Sequence, residues 1–266
     1  MSMKVEVWYP PTKRPPEARM GKHALFYGKS GVGKTATILQ TAQDPIFYIM
    51  AEGRSIDSTL AVINRPDIRL MIGRYSDWNS LLELMYTKAN FQKIYTIFGD
   101  SMSHIMNIHL PDEILEENFD ARERKEGKET MKDLTTRVKG TPEMYGALSK
   151  QMARLMKASQ ELCLDGHDVI WSARDQEFPK WNTDLACGPA LAGKEFPRDV
   201  KGFFDFIGMV ESQVNETGTV IYPPVVSCDD RGAYLSKWTG HKPPQGVIRS
   251  PFNVKAMFEY AETGGK

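Results

Sequence analysis

With 266 residues the chain can hold a large α/β domain and bury a substantial core. Lysine plus arginine balances aspartate plus glutamate at 34 each, which excludes a chain-wide basic field and leaves any nucleic-acid contact to a local patch. Cys163, Cys187 and Cys228 lack metal-ligand spacing and read as reduced thiols; the N-terminus lacks a signal-peptide core, and no apolar run approaches the roughly 18 residues that span a bilayer. The expectation is a cytoplasmic chain with no membrane partner.

Residues 4–8, Lys-Val-Glu-Val-Trp, alternate as an edge strand does, and Pro10, Pro11, Pro15 and Pro16 then interrupt regular structure. Residues 1–21 therefore read as an N-terminal strand and proline-rich linker ahead of a domain spanning 22–266. That domain opens on the apolar run His23 to Tyr27, a predicted strand, followed by Gly28-Lys29-Ser30-Gly31-Val32-Gly33-Lys34-Thr35. The run fits G-x-x-x-x-G-K-[ST] at every fixed position, and Thr35 to Ala42 predicts the helix that the motif requires. Glycines permit positive φ and let consecutive N–H groups close on a phosphate, which the following helix N-terminus also favours. The candidate binding residues are Gly28, Lys29, Ser30, Gly31, Val32, Gly33, Lys34, Thr35 and Ala36. Lys34 is placed to reach the β- and γ-phosphates of a nucleotide, and Thr35 to offer its hydroxyl to Mg²⁺.

Pro45 to Met50 is a continuous apolar run suited to a strand buried on both faces, and Glu52 falls just past its C-terminal end. In open α/β sheets that edge binds ligands, so Glu52 is either a solvated loop carboxylate or the group that orients a water on the γ-phosphate. Residues 68–72 predict another strand, and Ser76 a cap for a helix carrying Trp78, Leu81, Leu82, Leu84 and Met85. Residues 94–98 predict a strand ending in Gly99-Asp100-Ser101, where Asp100 is a second candidate for Mg²⁺.

From 112 to 140 acids and bases mix closely with few apolar residues, an exposed insertion. Thr141-Pro142 opens a helix whose stripe Tyr145, Leu148, Met152, Leu155, Ser159 and Leu162 reads as core. Asp168 to Ala173 is the next buried strand; Arg174, Asp175 and Gln176 follow at its C-terminal edge. The segment 177–198 is punctuated by glycine and proline, 203–210 returns to a strand, and 220–222 and 233–238 predict antiparallel strands because their connections are too short for helices. Residues 254–260 predict a terminal helix.

Taken together, Gly28 to Thr35, Glu52 within Tyr-Ile-Met-Ala-Glu-Gly, Asp100-Ser101, Tyr145-Gly-Ala-Leu, and Gly188-Pro-Ala-Leu-Ala-Gly193 followed by Phe203-Phe204-Asp205 resemble the RecA recombinase family. The likeness is greatest to the shorter phage-encoded RecA-like ATPases of single-strand annealing and recombination, and it covers most of residues 22–260. It implies an α/β P-loop fold with a mainly parallel central sheet flanked by helices, and antiparallel strands toward the C-terminus. It further implies ATP and Mg²⁺ as cofactors, and Glu52 and Lys34 as catalytic residues. Arg174 or Gln176 stands where the family keeps a polar γ-phosphate sensor, and this chain departs from the family in placing arginine first. Gly99 is a second departure, at a position where the family has a bulky apolar residue.

By the same resemblance 112–140 and 177–198 correspond to DNA-binding loops, with Phe178, Lys180, Trp181, Lys194 and Arg198 as candidates for single-stranded DNA. Lys237, Lys242 and Arg249 are candidates for completing a neighbour's ATP site in a ring or filament. Other recombination or replication proteins are implied as partners. Two alternatives stay open at this point, a RecA-like regulatory or assembly ATPase acting on proteins and a small-molecule kinase, although no lid-like arginine cluster supports the latter.

Overall fold

Continuous burial of three apolar runs builds the centre of the molecule. The strands β1 (His23–Tyr27), β4 (Thr96–Asp100) and β5 (Asp168–Ala173) are covered on both faces over nearly their whole length, as strands of a parallel sheet sandwiched by helices must be. A computed structural model describes residues 19–53, 55–114, 142–178, 186–193, 195–228, 234–242 and 249–265. Residues 1–18 of the N-terminal strand and linker, most of the charged insertion, and Lys180, Trp181 and Lys194 lie outside the described residues; Arg198 and Arg249 are described by their backbone alone.

The remaining elements are α1 (Lys34–Thr41), β2 (Ile46–Met50), α2 (Asp57–Leu60), β3 (Leu70–Arg74), α3 (Trp78–Tyr86), α4 (Met102–His104), α5 (Pro142–Leu164), β6 (Asp175–Glu177) and β7 (Cys187–Pro189). They continue with α6 (Glu195–Asp199), β8 (Phe206–Val214), β9 (Val220–Ser227), β10 (Lys237–Trp238), β11 (Arg249–Pro251) and α7 (Val254–Thr263). The main sheet has the order β11-β9-β8-β1-β5-β4-β2-β3, with β10 also on β8. From β8 to β3 every pairing is parallel, whereas β9, β10 and β11 join antiparallel. The architecture is thus the α/β class that the resemblance implied.

Alternation along β1 distributes its side chains between two cores. Leu25 and Tyr27 join Val169 and Trp171 beneath α3 and α5, which contribute Leu81, Met85, Met152 and Leu155. Ala24 and Phe26 join Ile170 beneath α1 and α7 through Ile38, Leu39, Met257 and Phe258. The expected α5 stripe is buried from Leu148 to Leu162, but Tyr145 at its start is exposed. Buried Ser159 donates to Leu155 O (3.0 Å) and accepts the Trp171 indole N–H (3.2 Å), so its hydroxyl is satisfied within the core.

Gly99 and Trp171 are direct register partners across β4 and β5. A Cβ on Gly99 would lie 2.2 Å from the indole ring. The departure from a bulky residue at this position is therefore compensated by the tryptophan that fills its space. Several boundaries differ from expectation. β3 begins two residues later, and Asp77 rather than Ser76 caps α3, accepting the Ser80 N–H at 2.8 Å. β4 starts at Thr96 because Tyr95 N–H still donates to Pro45 O, and β8 starts at Phe206 because Phe203 ends a 3₁₀ turn. All three cysteines are buried free thiols. Among the described residues no helix is long and apolar enough to cross a membrane.

His23 supplies a stability prediction. Its Nδ1–H donates to Phe203 O (2.7 Å), its ring lies 4.2 Å from that of Phe204, and its Nε2 has no partner among the described residues. Burial lowers the pKa from 6.5 to about 4. Between these values the unfolded chain takes up a proton that the folded one refuses, so stability is intact above pH 6.5 and falls on acidification toward pH 4. The contribution of this one group is about 3 kcal/mol over that interval. Urea midpoints at both ends of the interval should differ more in the parent than in His23→Phe; equal differences would remove His23 as the cause.

Candidate active site

Parallel pairing brings the C-terminal ends of β1, β2, β4 and β5 to one edge, where Gly28, Glu52, Asp100 and Arg174 come together. The glycine-rich segment joins β1 to α1. At Gly28 the backbone lies so close to β8 that a Cβ would sit 2.2 Å from Val210 O. Gly33, with φ of +93°, caps α1 in the left-handed region that favours glycine. From Lys34 the helix begins, leaving its first N–H groups directed toward the loop.

Lys34 folds back beneath the loop, donating to Gly28 O (2.8 Å) and Lys29 O (2.9 Å). Burial lowers its pKa, while Asp100, Asp175 and Glu52 work in the opposite direction. Thr35 donates its hydroxyl to Asp100 Oδ2 at 2.8 Å. The same oxygen accepts from Tyr48 OH (2.9 Å), and Oδ1 accepts from the Ser172 hydroxyl. Tyr48 and Ser172 reach Asp100 because strand register places them on its face: Met50 pairs with Asp100, Tyr48 lies two residues back, and Phe98 pairs with Ile170. Burial first, then the Asp100 charge, raises the Tyr48 pKa and keeps its phenol protonated as a donor.

A carboxylate and a hydroxyl side by side at the loop form a hard-oxygen pair. Magnesium is held by one or two such groups together with substrate phosphates rather than by an all-protein cage. The Thr35 hydroxyl and the Asp100 carboxylate, 2.8 Å apart at the loop, fit that mode.

Glu52 lines the same cavity. Its Oε1 accepts from the Ser101 hydroxyl at 3.1 Å and from Arg174 at 3.3 Å. The Arg174 backbone N–H in turn donates to the Ser103 hydroxyl (2.9 Å). The cavity enclosed by these groups measures about 290 Å³, and Ile56, Thr59 and Val62, around α2, form a further wall. That wall, together with Tyr48 and Ser172, is absent from the sequence expectation, and Ser101 entered it only as part of the Asp100-Ser101 motif. The only local hint was Ser55 to Thr59 following Glu52-Gly53, too short to announce a helix.

Of the two sensor candidates Arg174 lines the cavity, whereas Gln176 lies in the β6–β7 ribbon opposite Gly188 and does not. Phe178, the aromatic stacking candidate among the described residues, sits just past β6. It packs partly buried against the core, and a Cβ on Gly188 would lie 2.3 Å from its ring. Lys237 donates to Lys201 O (2.9 Å) within its own chain, Lys242 is exposed, and Arg249 belongs to β11.

The fold and this edge define a P-loop α/β domain. No protein-family model matches the chain, and no curated protein does. Among solved structures it is similar to the flagellar accessory protein FlaH from Methanocaldococcus jannaschii. The two share 11% identity over 88% of this chain and 91% of that one, with a TM-score of 0.41. A likeness at that level adds nothing to what the topology itself says.

Proposed function

We propose that the protein binds ATP with Mg²⁺ and hydrolyses it, and that it does so as a RecA-like ATPase acting on single-stranded DNA. The observation that carries the ATPase reading is the gathering of Lys34, the Thr35–Asp100 pair and Glu52 around one cavity beneath the glycine loop. Lys34 and the first N–H groups of α1 bind the phosphates. Glu52 orients a water and accepts its proton as the oxygen attacks the γ-phosphorus and the bond to the β-phosphate oxygen breaks. Thr35 and Asp100 would hold the Mg²⁺, which supplies positive charge to the phosphate oxygens. Arg174 offers a second cation beside the γ-position, its Glu52 contact being exchangeable because its side chain is 45% exposed.

The DNA reading is supported by the resemblance over 177–198 and by the self-association that resemblance implies. Stacking on an aromatic is worth about 1–3 kcal/mol per base, so a few contacts per subunit suffice once subunits align. Lys180, Trp181, Lys194 and Arg198 are the residues proposed for it. The balance of 34 basic and 34 acidic residues favours the second reading, an ATPase acting on protein partners. Phosphate release measured with and without single-stranded DNA separates them. Stimulation that Trp181→Ala reduces is expected; no stimulation and no DNA affinity in the presence of ATP and Mg²⁺ would favour the protein-directed ATPase.

A further inference from the structure

We infer that His109 is a positioning residue for Glu52, acting through the backbone of Ala51; the inference rests on the hydrolytic reading of this site. Beyond Asp100, α4 runs into a π-helical turn, Ile105–His109. Such turns are rare, hold one residue more than an α-turn and redirect the side chains that follow. Here His109 Nε2 lies 2.9 Å from Ala51 O. A carbonyl only accepts, so the imidazole carries its proton on Nε2 and donates.

The acceptor is the informative part. The Ala51 carbonyl belongs to the same rigid peptide plane as the nitrogen and Cα of Glu52, so a bond to that oxygen fixes the plane from which the Glu52 side chain departs. The other backbone group of Ala51 is also held, its N–H donating to Asp100 O at 2.8 Å. The residue before the proposed base is therefore clamped on one side by the end of β4 and on the other by the imidazole.

The imidazole is itself held in place. Its ring stacks on Tyr75 with centroids 4.5 Å apart and planes at 21°, and the His104 ring meets it edge-on at 4.9 Å. Tyr75 N–H donates to Met50 O (2.9 Å), which ties this platform to the same end of β2. Tyr75 OH donates to Glu113 Oε1 (2.6 Å), and Glu113 Oε2 accepts the Trp78 N–H (2.8 Å) at the start of α3. None of His104, His109, Tyr75 or Glu113 lines the nucleotide cavity, so their influence on the reaction passes through Ala51 and Glu52.

Steady-state ATP hydrolysis by the full chain tests this. His109→Phe keeps a ring against Tyr75 but has no donor. It is expected to lower kcat about tenfold or more with KM for ATP within about twofold, because a small misplacement of a reacting group costs rate rather than binding. His109→Gln, which returns an N–H toward Ala51 O, is expected to recover most of the loss. On the Glu52→Gln background His109→Phe is expected to add nothing, since the group it positions has already lost its role. An unchanged kcat in His109→Phe would overturn the inference. So would a loss that Gln does not recover, or a further tenfold drop on the Glu52→Gln background. Absence of turnover in the parent would instead sink the hydrolytic reading, and this inference with it.

Discussion

Lys34→Ala is expected to abolish ATP turnover while leaving the fold intact. Among the described residues the ammonium donates to the carbonyls of Gly28 and Lys29, both within the loop, so its loss leaves the core contacts in place. The burial that lowers its pKa is the environment in which a charge-assisted contact to phosphate counts most. Losing that contact costs about 1.5–3 kcal/mol in binding. Charge that develops on the transferring phosphoryl group raises the loss further, to about 10²–10³-fold or more in rate. Phosphate release and far-UV circular dichroism on the same preparation check both halves. Near-normal hydrolysis with an unchanged spectrum would falsify the phosphate-loop assignment.

Glu52→Gln is expected to separate binding from chemistry, lowering kcat about 10²-fold or more while ATP affinity persists. The amide is nearly isosteric and still accepts the Ser101 hydroxyl, but it neither takes a proton from water nor pairs with Arg174. The lost ion pair is a minor matter for stability. Its arginine side chain is 45% exposed, and pairs of that kind contribute roughly 0–1 kcal/mol. Thermal unfolding should therefore move by only a few degrees. Parental turnover in this variant would reduce Glu52 to a loop carboxylate.

The parts of the fold that were legible are those in which one local signal dominates. β1 and β5 occupy the predicted residues because unbroken apolar runs bounded by glycine or polar residues admit few other placements. The glycine loop was legible for a related reason, since Gly28 and Gly33 answer local backbone needs and Lys34 and Thr35 stand at fixed spacing from them. Boundaries set by tertiary partners were not. Ser76 and Asp77 are equally good caps by composition, and Asp77 takes the role where Glu113, far along the chain, accepts the Trp78 N–H. Tyr48 and Ser172 escaped notice because their approach to Asp100 depends on strand register, which no spacing within a single strand encodes. Gly99 looked like an anomaly until its register partner was known to be Trp171. Phe178 reads as a stacking candidate from its place in 177–198, and its packing against the core and over Gly188 depends on tertiary contacts that the segment alone does not encode.

The central claim is that the edge formed by Lys34, Thr35, Asp100 and Glu52 cleaves the terminal phosphate of a nucleotide. The most direct test is single-turnover release of labelled γ-phosphate from ATP by excess purified protein, with Mg²⁺ and with the metal chelated. Release in Mg²⁺, its loss on chelation, and its loss in Glu52→Gln are the results expected. No release in Mg²⁺, or equal release by the parent and Glu52→Gln, would contradict the claim.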